Sequence, residues 1–208
     1  MKLLDTIRDT VRGIMAEVAM FINESSHGRI KPNHITLASV LGHFVIALAI
    51  IYGQFASAAL LLAVFGILDT VDGELARAQA AESDRGMLAD SAGDRLKEVI
   101  LYSAVAYYFA DINQPLLVLM SVVALGGSML TSYIKAKSEV VAALKDNQQS
   151  VSGLNRLPAG GLFSFEVRVV ILIIGLAVNE LEITVTILAI STMLTALARF
   201  RHSWQTIK

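Results

Sequence analysis

The sequence predicts an all-α, polytopic membrane protein with six transmembrane helices, preceded by an N-terminal amphipathic interfacial helix. Hydrophobic residues make up 55% of the chain and charged residues only 17%, which departs from an ordinary soluble domain. The apolar residues gather in about six stretches of roughly 20 residues, the length that crosses a bilayer as a helix. The chain has no cysteine, which excludes a disulfide framework and thiolate chemistry.

Residues 1–30 form the first predicted unit, an amphipathic helix at the cytoplasmic surface of the membrane. Apolar residues between Leu3 and Ile22 recur at helical spacing, and charged residues occupy the opposite face. A helix packed on a soluble partner would show the same pattern, so this alternative stays open. Pro32 and Asn33 then break the chain before the first span.

Residues 31–208 form the second predicted unit, a six-helix transmembrane domain. The spans are expected near 34–54, 57–80, 87–110, 114–137, 163–179 and 182–202. The short connections after the first, third and fifth spans carry no Lys or Arg, whereas basic residues gather at the other side. The positive-inside rule therefore places that side, with both termini and the long connection 145–162, in the cytoplasm. We expect a multi-pass protein of the cell membrane.

Four aspartates interrupt the second and third spans. Asp69 and Asp72 are three residues apart and Asp90 and Asp94 are four apart, so each pair shares one helix face. Carboxylates at bilayer depth are costly unless they are paired, and the neighbouring arginines are too few to pair with all four. An all-oxygen ligand set favours hard divalent cations, so the pattern predicts Mg²⁺ or Mn²⁺.

The spacing of these residues resembles the motif of the CDP-alcohol phosphotransferase family. Residues 69–94 match every position fixed by D-x2-D-G-x2-A-R-x8-G-x3-D-x3-D. The resemblance implies transfer of a phosphatidyl-type group from a CDP-linked lipid, CDP-diacylglycerol, to an alcohol with release of CMP. It also implies that Asp69, Asp72, Asp90 and Asp94 hold two divalent cations and that Asp94 doubles as general base. A homodimer is implied as well, and no nucleic-acid partner is expected.

The same resemblance assigns a set of residues to the CDP-lipid. These are Pro32, Asn33, His34, Ile35, Gly73, Ala76, Arg77, Ser83 and Gly86. Gly73 and Ala76 lie one helical turn apart, where the nucleotide could approach bare backbone; a small-residue contact between helices is the alternative. The planar guanidinium of Arg77 suits a pyrophosphate oxygen, and a snorkelling arginine at the interface is its alternative.

A second set of charges concerns the acceptor. Lys135, Arg168 and Arg199 belong to three different spans at their predicted cytoplasmic ends, where they could form a pocket for a phosphate. Ordinary positive-inside anchoring is the alternative for each residue taken alone. Residues 132–139 resemble the Ser-Tyr-x-x-Ala-x-x-Glu segment of phosphatidylinositol-phosphate synthases, which implies inositol 1-phosphate as the phosphorylated polyol acceptor.

One departure from those synthases keeps other acceptors open. Of the Glu-Arg-Pro-Glu-Arg stretch that they carry before the fifth span, only Arg168 is clearly shared. Glycerol 3-phosphate, as in a phosphatidylglycerophosphate synthase, and an archaeal-type lipid donor therefore remain alternatives.

A cation transporter with an intramembrane aspartate site is the rival from another class. Gly73, Ala76 and Arg77 have no evident duty in a transporter. The outward halves of the second and third spans, 57–67 and 99–110, carry no charged residue that could line an exit path. Release of CMP from a CDP-lipid would separate the two classes.

Overall fold

The computed structural model describes residues 2–144 and 165–206, and every regular element within those ranges is an α-helix. The helices are α1 (Lys2–Ser25), α2 (Pro32–Ile51), α3 (Phe55–Ala78), α4 (Asp84–Asp111), α5 (Pro115–Leu144), α6 (Phe165–Ala177) and α7 (Leu181–Thr206). The all-α prediction is therefore confirmed. The connection 145–162 lies outside the described residues.

Four of the described helices are long and apolar enough to cross a bilayer, judged by length and composition. These segments are Pro32–Ile51, Phe55–Ala78, Pro115–Val141 and Leu181–Thr206, which correspond to the predicted first, second, fourth and sixth spans. α4 has 28 residues but carries a run of charged side chains, and α6 is described over only 13 residues. The chain is thus a multi-pass helical membrane protein, and the count of six spans stays a prediction.

Left-handed residues close the short connections between successive helices. Gly53 (φ 68°), Asn113 (φ 58°) and Asn179 (φ 61°) follow α2, α4 and α6. Each lies in the conformation that commonly ends a helix, and Gly and Asn tolerate it best. After α4, for example, the amide of Gln114 donates to the carbonyl of Phe109 at 2.8 Å. These local signals explain why the helices end where the sequence predicted short turns.

The described residues fall into two compact units. The first contains the described residues up to Leu48 together with Leu60–Leu101, and the second contains Ala49–Ala59 and the described residues from Tyr102 onward. The first unit carries the four motif aspartates. The second carries the basic residues predicted for the acceptor. The predicted boundary at residue 30 stays a prediction.

In the first unit, α1 packs against α2 and α3. Met15 and Ala19 of α1 are buried in one cluster with Ile35 of α2 and with Val71 and Leu75 of α3. Other apolar side chains of α1 remain exposed, most of all Phe21 at 70%. An exposed apolar strip beside a packed strip fits a helix lying in the membrane interface, which stays a prediction.

In the second unit, α5 packs along α7 through small residues. A Cβ atom added at Gly127 would lie 2.8 Å from the Cβ of Thr192 and 3.1 Å from the backbone nitrogen of Met193. The hydroxyl of Thr131 donates to the carbonyl of Gly127 at 2.7 Å and lies 3.4 Å from that of Thr192. Close backbone approach through small residues is the usual way in which membrane helices associate.

Gly127→Ala is expected to lower the thermal unfolding temperature in detergent. The added methyl overlaps Thr192, and overpacking of this kind costs about 1–3 kcal/mol. Gly126→Ala is the matched control, because nothing lies within 4 Å of a Cβ added there. In the control the better helix propensity of alanine should leave stability unchanged or slightly raised. Equal unfolding temperatures for the two variants would contradict the close α5–α7 contact.

Candidate active site

The motif places its two pairs of aspartates on α3 and α4. Asp69 and Asp72 lie in the C-terminal half of α3, and Asp90 and Asp94 lie in the first half of α4. Asp72 is buried, Asp69 and Asp94 are partly exposed, and Asp90 is exposed. Both pairs of aspartates therefore lie within α-helices, as the prediction that each pair shares one helix face requires.

A lysine joins the two helices between their aspartates. The ammonium of Lys97 lies 2.7 Å from Oδ2 of Asp69 on α3 and 2.8 Å from Oδ1 of Asp94 on α4. The Lys97 side chain is only 1% exposed. Burying a charge is expensive unless a partner of opposite sign accompanies it, and here two carboxylates do so. Asp69 and Asp94 therefore share one positively charged partner, the ammonium of Lys97.

Asp72 is held by the helix that precedes the motif. The hydroxyl of Thr36 on α2 donates to Oδ2 of Asp72 at 2.6 Å, and the Asp72 side chain is almost fully buried. Thr36 lies one turn after Pro32, and its hydroxyl is also 3.3 Å from the carbonyl of Pro32. This bond ties the Pro-Asn start of α2 directly to the motif.

The donor chemistry of these residues fits a hard divalent cation. The aspartates supply only oxygen ligands, and Oδ1 of Asp69 is buried with no hydrogen-bond partner among the described residues. A buried carboxylate oxygen without a donor is a site that a cation can complete. Within the described ranges, no three His, Cys, Asp or Glu side chains already stand together as a ligand set. The ammonium of Lys97 occupies the neighbourhood of two of the aspartates instead.

The motif's glycine and arginine lie on the exposed side of α3. A Cβ added at Gly73 would meet only the far end of Arg77, at 4.0 Å. This backbone is therefore open to close approach. Nε of Arg77 donates to Glu74 at 3.0 Å, and a second guanidinium nitrogen contacts the same carboxylate. Arg77 is thus oriented along α3 by its neighbour one turn earlier. Ala76 is partly exposed.

The remaining residues predicted to contact CDP have visible local roles. The hydroxyl of Ser83 accepts a hydrogen bond from the amide of Gly86 at 3.1 Å and so caps the start of α4. Asn33 is exposed, and the amide of Lys31 donates to Nδ1 of His34 at 3.3 Å. The side chain of Ile35 lies in the apolar cluster of α1, α2 and α3. Their contacts with a nucleotide stay predictions.

The predicted acceptor residues lie in the second unit, on three helices. Arg168 of α6 is 3% exposed and its guanidinium lies 6.0 Å from the ring centre of Phe165. Arg199 of α7 donates to the carbonyl of Thr131 on α5 at 3.3 Å, and its charge interacts with that of Arg168. Lys135 of α5 is exposed, with Nζ 4.0 Å from the Glu139 carboxylate. The charges of two of the three residues therefore interact, and the side chain of Lys135 is exposed.

The structure corrects one part of the charge pattern read from the sequence. That pattern predicts basic residues at the membrane faces and too few bases near the aspartates, whereas Lys97 is a buried base among them. Its signal was visible, because Lys97 follows Asp94 by three residues inside the predicted third span. Thr36 was also missed, and nothing in the local sequence marks a threonine as the partner of a carboxylate 36 residues away.

The chain matches a protein family over most of its length. The model of the CDP-alcohol phosphatidyltransferase family matches residues 29–199. The chain is 31% identical over 147 residues to a Thermococcus kodakarensis protein named bifunctional IPC transferase and DIPP synthase, covering 71% of this chain but only 33% of that protein. It is 26% identical over 181 residues to the phosphatidylinositol phosphate synthase of Mycolicibacterium smegmatis, covering 82% and 76% of the two chains.

The fold is also that of a solved protein. The crystal structure of Mycobacterium tuberculosis phosphatidylinositol phosphate synthase with CDP-DAG bound superposes with a TM-score of 0.76 at 21% identity, covering 92% of this chain and 94% of that one. The same enzyme in complex with manganese and citrate gives a TM-score of 0.75 at 20% identity, covering 91% and 88%. At these identities the likeness establishes the fold.

Proposed function

The chain belongs to the CDP-alcohol phosphatidyltransferase family, and on that premise we propose that it transfers a phosphatidyl group from CDP-diacylglycerol to inositol 1-phosphate, releasing CMP. The observation that carries the proposal is the complete motif, in which Asp69 of α3 and Asp94 of α4 both contact the ammonium of Lys97. The names of the relatives support the choice of donor and acceptor. Family membership also argues against the cation-transporter alternative.

The four aspartates are the residues that would hold two divalent cations, Mg²⁺ or Mn²⁺. The unpartnered Oδ1 of Asp69 and the all-oxygen donor set support this role. A relative of the same fold was solved with manganese. When bound, such cations neutralise the charge that develops on the phosphates as the leaving group departs.

The protein's own groups then position the reactants and move one proton. Asp94 accepts the proton of the acceptor hydroxyl as general base. The freed oxygen forms a bond to the lipid-side phosphorus, and the bond from that phosphorus to the CMP oxygen breaks. Arg77 places its guanidinium on the pyrophosphate, and the open backbone at Gly73 receives the nucleotide. Holding both substrates in line supplies much of the reduction in the barrier.

Arg168, Arg199 and Lys135 form the proposed acceptor site. The like charges of Arg168 and Arg199 interact, and a bound phosphate would give both guanidiniums a partner of opposite charge. The planar guanidinium also matches the geometry of phosphate oxygens. The interaction between the charges of Arg168 and Arg199 supports this assignment. Lys135, which is exposed on α5, is the third member of the proposed site.

Arg199→Ala is expected to raise the KM for inositol 1-phosphate by about ten- to hundredfold while the KM for CDP-diacylglycerol stays unchanged. One charge-assisted contact is worth about 1.5–3 kcal/mol, which corresponds to that range. Arg201→Ala is the control, because Arg201 is exposed on the same helix. Equal loss of affinity for both substrates would remove Arg199 from the acceptor site.

An acceptor screen tests the proposed reaction itself. Purified protein is given CDP-diacylglycerol with inositol 1-phosphate, glycerol 3-phosphate, serine or free inositol, and CMP release is measured. We expect inositol 1-phosphate to be the best acceptor. A preference for glycerol 3-phosphate would move the chain to the alternative acceptor class, and a preference for an unphosphorylated alcohol would leave the basic residues without a phosphate to bind.

We further propose that the site faces the cytoplasm of the cell membrane and that the protein is a homodimer. A donor with lipid tails and a water-soluble acceptor can meet only at the interface. The positive-inside pattern supports the orientation, and cysteine labelling of the 53–57 connection from outside the cell tests it. Mass measurement in detergent tests the dimer.

A further inference from the structure

The Lys97 ammonium occupies the point where the two aspartate-bearing helices meet. It contacts Oδ2 of Asp69 at 2.7 Å and Oδ1 of Asp94 at 2.8 Å while its side chain is 1% exposed. We propose that Lys97 is the internal counter-cation of the metal-free site, and that a divalent cation binds only by displacing this ammonium from at least one of the two carboxylates. The proposal rests on the metal-dependent function proposed above.

The oxygen atoms involved make the competition direct. An ammonium and a divalent cation both need carboxylate lone pairs, and Lys97 engages one oxygen of Asp69 and one of Asp94. The other oxygen of Asp69, Oδ1, is buried with no hydrogen-bond partner among the described residues. A cation that reaches Asp69 therefore meets one oxygen without a hydrogen-bond partner and another that contacts Lys97.

The neighbouring arginines have closer carboxylate partners. Arg95 contacts Glu98 one turn further along α4 and lies 3.9 Å from Asp94. Arg77 is bound by Glu74 on α3. Among the ion pairs that the described residues make with the motif aspartates, those of Lys97 at 2.7 and 2.8 Å are shorter than that of Arg95 at 3.9 Å. Removing Lys97 leaves the carboxylates of Asp69 and Asp94 close together without this positive charge.

The position of Lys97 links metal exchange to helix packing. The pair with Asp94 lies within α4, at a spacing of three residues, whereas the pair with Asp69 crosses to α3. The ammonium therefore links α3 to α4 through two ion pairs when no metal is bound. A divalent cation held by the motif aspartates would supply positive charge there in place of the ammonium. Lys97 is a positioning residue in this scheme, and it is not a metal ligand.

The test compares the full-length protein with three lysine variants in detergent. Lys97→Met keeps most of the length of the side chain and removes its charge, and Lys97→Arg keeps the charge. Lys137→Met is the control, because Lys137 is exposed on α5. Mn²⁺ affinity is measured from the electron paramagnetic resonance signal of the free ion, and thermal unfolding is followed in chelator and in Mn²⁺.

Removing the Lys97 ammonium should change both the affinity for Mn²⁺ and the unfolding temperature. In Lys97→Met we expect Mn²⁺ to bind about tenfold tighter or more, because the cation no longer displaces an ammonium. The unfolding temperature in chelator should fall, and Mn²⁺ should raise it by more than in the wild type. Lys97→Arg and Lys137→Met should resemble the wild type. Folding of Lys97→Met only in the presence of Mn²⁺ would support the proposal equally.

Three results would overturn the proposal. One is wild-type or weaker Mn²⁺ affinity in Lys97→Met, and another is failure of that variant to fold even with Mn²⁺. Either would leave the proposed function intact, provided that the wild type still binds Mn²⁺ and releases CMP. The third, a wild type that binds no Mn²⁺, would contradict the proposed metal site as well, so the two failures can be told apart.

Discussion

Asp94→Asn is expected to abolish measurable turnover while leaving most of the CDP-lipid affinity. The amide keeps the shape of the carboxylate but cannot accept the proton of the acceptor hydroxyl. Loss of general-base catalysis costs about 10²–10⁴-fold in rate. The remaining aspartates and the motif's Gly73 and Arg77 still bind the donor. The expected signature is therefore a loss in kcat with little change in the dissociation constant of CDP-diacylglycerol.

The measurement is CMP release at saturating substrates, together with direct binding of the donor. Asp111→Asn is the matched control, since Asp111 lies exposed at the other end of α4. The amide introduced by Asp94→Asn still offers an oxygen to the ammonium of Lys97 but no negative charge, so the unfolding temperature should fall while the protein stays folded through the remaining pair with Asp69. Turnover within about tenfold of the wild type, below the effect expected of a general base, would remove Asp94 from that role.

Asp90→Ala is expected to lose metal-dependent activity and CDP-lipid binding together. The side chain of Asp90 is exposed, so its removal leaves no cavity, and a large effect would report on ligation. Loss of a residue that merely orients a metal ligand costs about ten- to hundredfold, and loss of a ligand should cost at least as much. Asp69→Ala should behave in the same way, with an added loss of stability because Lys97 loses one partner.

The prediction for Asp90→Ala is checked by measuring activity in excess chelator and again after Mg²⁺ or Mn²⁺ is added. Excess chelator should reduce the wild type to the level of Asp90→Ala, and Mg²⁺ or Mn²⁺ should restore only the wild type. Asp84→Ala is the control, because Asp84 is an exposed aspartate in the first turn of the same helix. Activity that persists in excess chelator would rule out the divalent-cation role of the aspartates.

The helical framework could be predicted because its signals are local. Apolar runs of spanning length, Pro32 and Pro115 at helix starts, and Gly53, Asn113 and Asn179 after helix ends act over a few residues. The aspartate pattern was equally readable, since spacings of three and four residues place side chains on one face of any helix. The count of six spans was harder, because the charges of α4 mask its apolar half.

Local patterns in the sequence were enough to predict the helices, the spacing of the four aspartates and hence the family of the chain. The contacts of those aspartates became visible only in the folded chain: Lys97 lies between Asp69 and Asp94, and Thr36 contacts Asp72. Helical periodicity specifies which face a side chain occupies, whereas its partner on another helix depends on how α2, α3 and α4 pack. A lysine three residues from an aspartate could equally have pointed to water, and its burial against a second helix made it part of the site.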